Sequence, residues 1–476
     1  MGTTSDRGTA ARTDAAPPAA AADDTEAGKC YDVAVIGGGV VGHGIALAAR
    51  RSGRTVALID DAPGSGASWA AAGMLAPVSE LHYQEEHLLE LMLESSRLWP
   101  AFAAALEDAA GTGLRTVTGA GNSTGYLTTP TLAVGADAAD RRALADLRTV
   151  QQASGLAVEP LSVREARIRE PLLSPGISCA FDIPADHQVD PRRLLARIGE
   201  LLAADSHCDT IRRRAAGLLW QDGRVAGATL AGGGSVRAGE TIVANGLGAA
   251  ALQGLPAGLR LPLRPVLGDI LRLRVPENLR PLLTSTVRGL VRGVPVYIVP
   301  RQDGTVVIGA TQREDALGED SRPAAPAGAP PGSAVSAGGV YQLLRDAQQL
   351  LPAVAELELL EATARARPGT PDNAPLLGRV AQPGGAGEIA GLIIATGFFR
   401  HGILLTPAAA EICRQLLDGA EDARWAHFRP DRFAAATGPA GQPAAGQPAA
   451  CPLAAAPPDT SVRTTNPNPE PSKETV

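Results

Sequence analysis

Val33-Ala34-Val35-Ile36-Gly37-Gly38-Gly39-Val40-Val41-Gly42 reads as an apolar strand running into a glycine-rich turn. An apolar stretch, a second strand over Thr55 to Ile59, and Asp60 follow. Each glycine has a separate task in such a turn. Gly37 permits the tight bend, Gly39 lets the backbone approach a pyrophosphate, and Gly42 lets the following helix pack close to the sheet. The start of that helix, at Val40 and Val41, offers amide donors and a partial positive charge to phosphates. Asp60 ends the second strand 23 residues after Gly37, placed to accept from both ribose hydroxyls. Strand, turn, helix, strand and acid in this order predict a bound dinucleotide.

Asp60 is followed by Asp61 and not by an arginine, which argues against a 2′-phosphate and leaves FAD or NAD. The next stretch, Gly64-Ser65-Gly66-Ala67-Ser68-Trp69-Ala70-Ala71-Ala72-Gly73-Met74-Leu75-Ala76-Pro77, is dominated by small residues. Such residues let a large flat ring lie against the backbone. A loop or an alanine-rich helix start has the same composition.

These segments, with Tyr297-Ile298-Val299-Pro300-Arg301, Arg367-Pro368-Gly369-Thr370-Pro371-Asp372 and Arg400-His401-Gly402-Ile403-Leu404-Leu405, occur in an order that resembles the D-amino-acid oxidase superfamily. Within it they look most like glycine oxidase of the thiamine pathway, over residues 30 to 430. The resemblance implies non-covalent FAD and an α/β fold in which a Rossmann-like FAD-binding domain interleaves with an antiparallel-sheet substrate domain. It also implies oxidative deamination of a small amino acid, with dioxygen as acceptor and hydrogen peroxide as product, supplying glycine imine for thiazole assembly. A homotetramer is part of the same expectation.

Composition sets the outer bounds. The 476 residues suffice for two or three domains around a sizeable core. Residues 1–29 and 436–476, rich in Ala and in Pro respectively, are expected to be disordered tails. The N-terminus lacks the pattern of a signal peptide, and no apolar run reaches the length of about 18 residues needed to span a membrane, so the chain reads as soluble and cytoplasmic. A net charge of −7 argues against a nucleic-acid partner. Five scattered cysteines read as reduced thiols, and the histidines lack ligand spacing, so no metal site is expected.

Along the chain, the expected domain segments are 30–110, 187–260 and 367–435 for FAD and 111–186 and 261–366 for substrate, with 318–339 a flexible insertion. Leu88 to Leu106 reads as an amphipathic helix, residues 114–130 as strands with turns, and 138–170 as polar helices. Asp190-Pro191 opens a helix, Asp222-Gly223 and Asp303-Gly304 mark hairpins, and Thr406-Pro407 reads as a cap with a first-turn proline.

An amino-acid carboxylate is best received by the planar fork of an arginine. Arg365 and Arg367 lie two apart and share a strand face, and the motif match selects Arg367. By resemblance Tyr297 gives a second bond to the carboxylate, Met74 lies beside the flavin, and Arg400 belongs to the catalytic loop before the Thr406-Pro407 helix. The cofactor-binding set is then Gly37, Gly39, Val40, Val41, Gly42, Asp60, Asp61, Ala67, Ser68, Ala72, Gly73, Met74, Ala216, Gly397, Phe398, Phe399, Arg400, His401, Gly402, Ile403 and Leu404. Two departures stand out: Gln312 replaces a frequent methionine, and Phe398 a frequent histidine. The inferred chemistry uses no protein acid or base in bond breaking. Rival readings are a D-amino-acid dehydrogenase passing electrons to a quinone and a flavin-binding protein without turnover. A covalent sarcosine oxidase is disfavoured, since Glu361 to Asp372 contains no cysteine.

Overall fold

The computed structural model describes residues 29–108, 123–314, 334–382 and 387–434. Its first sheet runs in the order Leu376–Ala381, Glu388–Thr396, Ser235–Val243, Cys30–Ile36, Val56–Ile59, Cys208–Ile211, and the hairpin Ala215–Gln221/Arg224–Leu230 attaches to Ser235–Val243. The four pairings from Glu388–Thr396 to Cys208–Ile211 are parallel. Val33, Ala34, Val35, Val56 and Ala57 are wholly buried, as strands covered on both faces must be. From Cys30–Ile36 the order runs one way to Val56–Ile59 and the other to Ser235–Val243. This switch point opens a crevice at the strand ends, lined by Gly39 to Val41 and by Ala244 to Gly248.

The helix Val40–Arg51 begins in that crevice and packs on the helices Pro191–Ala203 and Thr406–Leu417. Its start is crowded. A Cβ on Gly42 would land on the carbonyl oxygen of Gly37, which itself sits at φ +113°.

The second sheet runs Glu358–Gly369, Arg264–Arg274, Thr305–Gly309, Val294–Pro300, Thr286–Val291, Thr131–Gly135, Cys179–Ile183, Glu159–Leu161. It is antiparallel except where Thr286–Val291 pairs parallel with Thr131–Gly135, so the expected antiparallel sheet is mixed at one seam. Strand alternation divides its faces. Leu271, Leu273, Val296, Ile298, Val306 and Ile308 pack with Leu343, Ala347 and Leu350 of the helix Ala337–Leu350. Each large apolar side chain so buried contributes about 1.5–3 kcal/mol. The opposite face carries the in-register set Arg288, Tyr297, Gly309 and Ile270, and beside it Gly268 with Arg365 and Val266 with Arg367.

Several sequence expectations need correction. The helix opening at Pro191 is capped as read, Asp190 accepting from the amides of Arg192 and Arg193. Thr406, by contrast, is not a cap: Leu405 holds that position, and the Thr406 hydroxyl donates to the Gly402 carbonyl at 2.8 Å. The end of the 318–339 insertion is already helical, Ser336 accepting from the Gly339 amide, while 315–333 lies outside the described residues. The two polar helices of 138–170, Ala138–Ala153 and Val163–Arg169, are separated by the strand Glu159–Leu161. Of 114–130, only 123–130 is described, and it contributes an isolated bridge from Leu127 to Gln188. Residues 1–28 and 435–476, on which the tail readings fall, are also outside the described residues.

Gly42→Ala is expected to force the helix from the sheet at about 1–3 kcal/mol or more. The check is a lower thermal midpoint together with weaker FAD retention; an unchanged midpoint would show that the Gly37–Gly42 contact is not tight.

Candidate active site

One cavity of about 510 Å³ runs from the crevice to the free face of the second sheet, within the range of about 300–1,000 Å³ typical of ligand sites. At one end the glycine turn is fixed by its own backbone. The Gly37 amide donates to the Ile59 carbonyl at 2.8 Å and the Gly64 amide to the Gly38 carbonyl at 2.7 Å. Asp60 accepts from the amides of Gly38 (2.6 Å) and Ala62 (2.8 Å), which leaves each oxygen a further lone pair. Asp61 lies at the mouth and pairs with Arg214 at 3.0 Å; an arginine therefore does stand beside it, brought by the connection after Cys208–Ile211 and invisible to local sequence reading.

Ser68 accepts from the Val40 amide at 3.1 Å, and the His43 amide donates to Gly39. The amides of Val41 and Gly42 between them are those a helix leaves without an intrahelical acceptor. A Cβ on Gly39 would meet only the Ser68 hydroxyl, at 3.5 Å. Nothing in the protein requires glycine there, so the bare backbone faces the cavity and suits close approach by a phosphate. These donors, the Asp60 lone pairs and the small-residue wall from Ala67 to Met74 fit FAD.

The wall is held from behind. Arg272 donates to the Trp69 carbonyl at 3.1 Å, Arg192 reaches the same oxygen at 3.1 Å, and Arg301 bonds the carbonyls of Ala72 and Val189. Burial pulls Arg272 down to about 10, with Arg192 adding to the shift. Arg192 is itself clamped by Glu361 at 2.7 and 2.9 Å, which keeps that carboxyl down at about 2.

The other end collects the residues expected to meet substrate. Tyr297 lies across Gly309 and Arg367 across Gly268; a Cβ on either glycine would collide with the ring or the guanidinium. Burial raises the Tyr297 hydroxyl, and the charge of Arg367 opposes it. Arg365 and Arg367 both line the cavity, but Arg365 is committed to the carbonyls of Ser65 (3.1 Å) and Ala364 (2.8 Å). Arg367 has no hydrogen bond or ion pair among the described residues, and is half-buried. Met74, Gln312, Ile270 and Ala310 complete this end.

Arg400 comes from the loop before Thr406–Leu417, which Trp99 and Ser95 anchor through the Leu404 carbonyl at 2.8 and 2.6 Å. Its Nε lies 3.2 Å from Glu80 and its Nη2 3.9 Å from Glu85. Arg288 bonds the other Glu80 oxygen. Burial alone would raise the Glu80 carboxyl, but Arg288 and Arg400 hold it well below the usual range.

Of the sequence-derived set, Gly39, Val40, Val41, Asp60, Asp61, Ala67, Ser68, Ala72, Gly73, Met74, Tyr297, Arg367 and Gly397 to Leu404 line the cavity. Gly37 and Gly42 shape the turn beneath it. Ala216 does not reach the cavity: it sits on the edge hairpin, its carbonyl accepting from the Gln253 amide. Sequence reading missed Glu80 and Arg288. An arginine between Val287 and Gly289 in an apolar strand was the available signal for one of them. Among the described residues no cysteine lines the cavity, no group of three or more His, Cys, Asp or Glu is placed to hold a metal, and no helix is long and apolar enough to cross a membrane.

A parallel sheet with a dinucleotide turn, covered by a second sheet that carries an uncommitted arginine, defines a flavin-dependent oxidoreductase. The family described as FAD dependent oxidoreductase matches residues 32–416, and the chain belongs to it. Glycine oxidase of Geobacillus kaustophilus is 33% identical over 396 residues, 83% of this chain and 94% of that protein. The bifunctional protein ThiO/ThiG of Trichormus variabilis is 30% identical over 84% of this chain, which spans only 55% of that protein's length. Among solved structures, the Geobacillus kaustophilus glycine oxidase superposes with a TM-score of 0.70 at 30% identity, covering 84% of this chain and 98% of the other. Iminodiacetate oxidase from Chelativorans sp. BNC1 gives 0.69 at 26%, covering 84% and 98%.

His401 is buried, and burial followed by the charge of Arg400 pulls it from 6.5 to about 3. The unfolded chain binds a proton here below about 6.5 while the folded one does not, so the stabilisation is complete above that pH and is lost as pH falls toward 3. At pH 5 the loss is about 2 kcal/mol. His401→Gln should remove that part of the drop in urea stability between pH 7.5 and 5; an unaltered slope would contradict it.

Proposed function

We propose that the chain oxidises a small amino acid at its α-carbon, with glycine foremost and sarcosine or small D-amino acids behind it. Glycine, water and dioxygen give glyoxylate, ammonia and hydrogen peroxide. The observation that carries this reading is Arg367: half-buried, without a partner among the described residues, laid over Gly268 and facing the cavity beside Tyr297. A guanidinium so placed receives a carboxylate through two parallel bonds, and the Tyr297 hydroxyl adds a third.

FAD, when bound, supplies the acceptor for the two electrons. The chain's own residues position and dry the substrate. With the carboxylate on Arg367, the wall Ala72–Met74 and the side chain of Ile270 line the space that the α-carbon would enter. Exclusion of water by this wall favours the neutral amine. No carboxylate or imidazole is required as base, and His401 is engaged with the Nε of Arg400 at 3.3 Å. Segments 30–110, 187–260 and 367–435 then serve the dinucleotide, and 111–186 and 261–366 the substrate.

Relatives named glycine oxidase and ThiO/ThiG support this reading, with glycine imine passed on toward the thiazole of thiamine. A homotetramer in the cytoplasm goes with it. Anaerobic mixing of the yellow protein with glycine, sarcosine, D-alanine and D-proline tests it. Bleaching by glycine, followed by stoichiometric peroxide on admitting air, is expected. Bleaching without fast reoxidation would indicate a quinone-linked dehydrogenase, and no bleaching by any of the four would sink the small-amine reading.

Arg367→Ala should raise the glycine KM by about 100-fold or more while FAD stays bound, since two charge-assisted hydrogen bonds are lost. Unchanged steady-state kinetics would remove Arg367 from the site.

A further inference from the structure

The substrate end of the cavity holds more positive charge than one carboxylate needs. Arg288, Arg367 and Arg400 all line it, with Glu80 among them. The Glu80 carboxylate bonds Arg288 through one oxygen and lies 3.2 Å from the Nε of Arg400 through the other. Glu85 stands 3.9 Å from the same guanidinium. Three cations against these two acids leave a single positive charge, and Arg367 is the guanidinium without a partner among the described residues.

This arrangement is built. Buried Asp186 accepts from the amides of Val78 (2.9 Å) and Ser79 (3.0 Å), and the buried Gln151 amide donates to the Val78 carbonyl at 2.9 Å. The backbone that leads into Glu80 is thus fixed at Val78 and Ser79. Arg288 is fixed by the sheet, directly opposite Tyr297 in the register of the strands Thr286–Val291 and Val294–Pro300. Glu80, Arg288, Tyr297 and Arg367 all line the same cavity, and the Tyr297 hydroxyl feels the charges of the other three.

We infer that Glu80 determines substrate class: by occupying the guanidiniums of Arg288 and Arg400 it restricts the cavity to amines with one carboxylate and turns away those with two. The inference rests on reading Arg367 as the carboxylate receptor. A second carboxylate entering beside Glu80 meets a like charge held at short range, in a site where water screens little. Without that acid, Arg288 joins Arg367 as a guanidinium open to a dianion, while Arg400 keeps Glu85.

The test is calorimetric titration of the FAD-loaded protein with acetate and with malonate at pH 8, where malonate is a dianion. The wild type should bind malonate no more than about threefold tighter than acetate, whereas Glu80→Gln should shift the ratio toward malonate by about tenfold or more. Glu80→Gln combined with Arg288→Gln removes one charge of each sign and should return the ratio to within about threefold of the wild type. A purely structural role for Glu80 would weaken both anions together and leave the ratio unmoved, which would overturn the inference. So would a wild type that already prefers malonate by about tenfold, a result independent of whether any variant folds. Glycine turnover by the same wild-type preparation separates the two readings: its absence defeats the glycine assignment, while an unmoved ratio with turnover intact defeats only the role of Glu80.

Discussion

The structure depends on one set of contacts: arginine side chains bonded to the backbone carbonyls of Trp69 to Ala72. That segment follows the second strand of the dinucleotide unit, while Arg272 and Arg301 belong to the covering sheet and its Pro300 edge. Two guanidiniums that would be costly to bury alone are satisfied by carbonyls that would be costly to leave bare. Remove the bonds and the two sheets lose their common wall. Because this wall is drawn back toward the arginines, its inner side can be made of Ala, Gly and Met, and the cavity can run unbroken from the glycine turn to Tyr297.

The covering sheet serves two ends with one alternation. Residues such as Leu271, Val296 and Ile308 bury under the helix Ala337–Leu350, and their neighbours along the same strands form the floor of the site. Glycines at 268 and 309 matter here for the space they leave. They lower the floor where Arg367 and Tyr297 must lie flat, so both side chains keep their polar ends at the level of the cavity while their stems pack on backbone. The identity of these residues is therefore set in pairs across strands.

The parallel unit was legible in the sequence because its signals are local. The turn Gly37–Gly42, the acid at Asp60 and the hairpins at Asp222-Gly223 and Asp303-Gly304 each state their conformation within a few residues. The choice of Arg367 rested on a motif, and the structure places both Arg365 and Arg367 at the cavity wall. Legibility ended where partners come from far along the chain. Arg214 reaching Asp61, Arg288 reaching Glu80, and Asp186 holding Val78 and Ser79 join segments 100 or more residues apart. The parallel seam between Thr131–Gly135 and Thr286–Val291 is hidden for the same reason, since no local pattern distinguishes it from the antiparallel pairs around it. Thr406 misled because a threonine before proline satisfies the cap pattern, whereas its hydroxyl turns back to Gly402.

Arg365 and Arg367 bring these strands of argument together. They are the same residue type on the same face of one strand, both at the cavity wall, and composition cannot tell them apart. What separates them is prior commitment: Arg365 spends its donors on Ser65 and Ala364, and the Arg367 guanidinium extends over a glycine with no acceptor within reach among the described residues. The same criterion sorts the remaining cations, for Arg288, Arg400, Arg272 and Arg301 all have carboxylates or carbonyls of their own. In a site with so many guanidiniums, prior commitment to acids and carbonyls leaves one arginine uncommitted, and it is on this vacancy that the proposed carboxylate receptor rests.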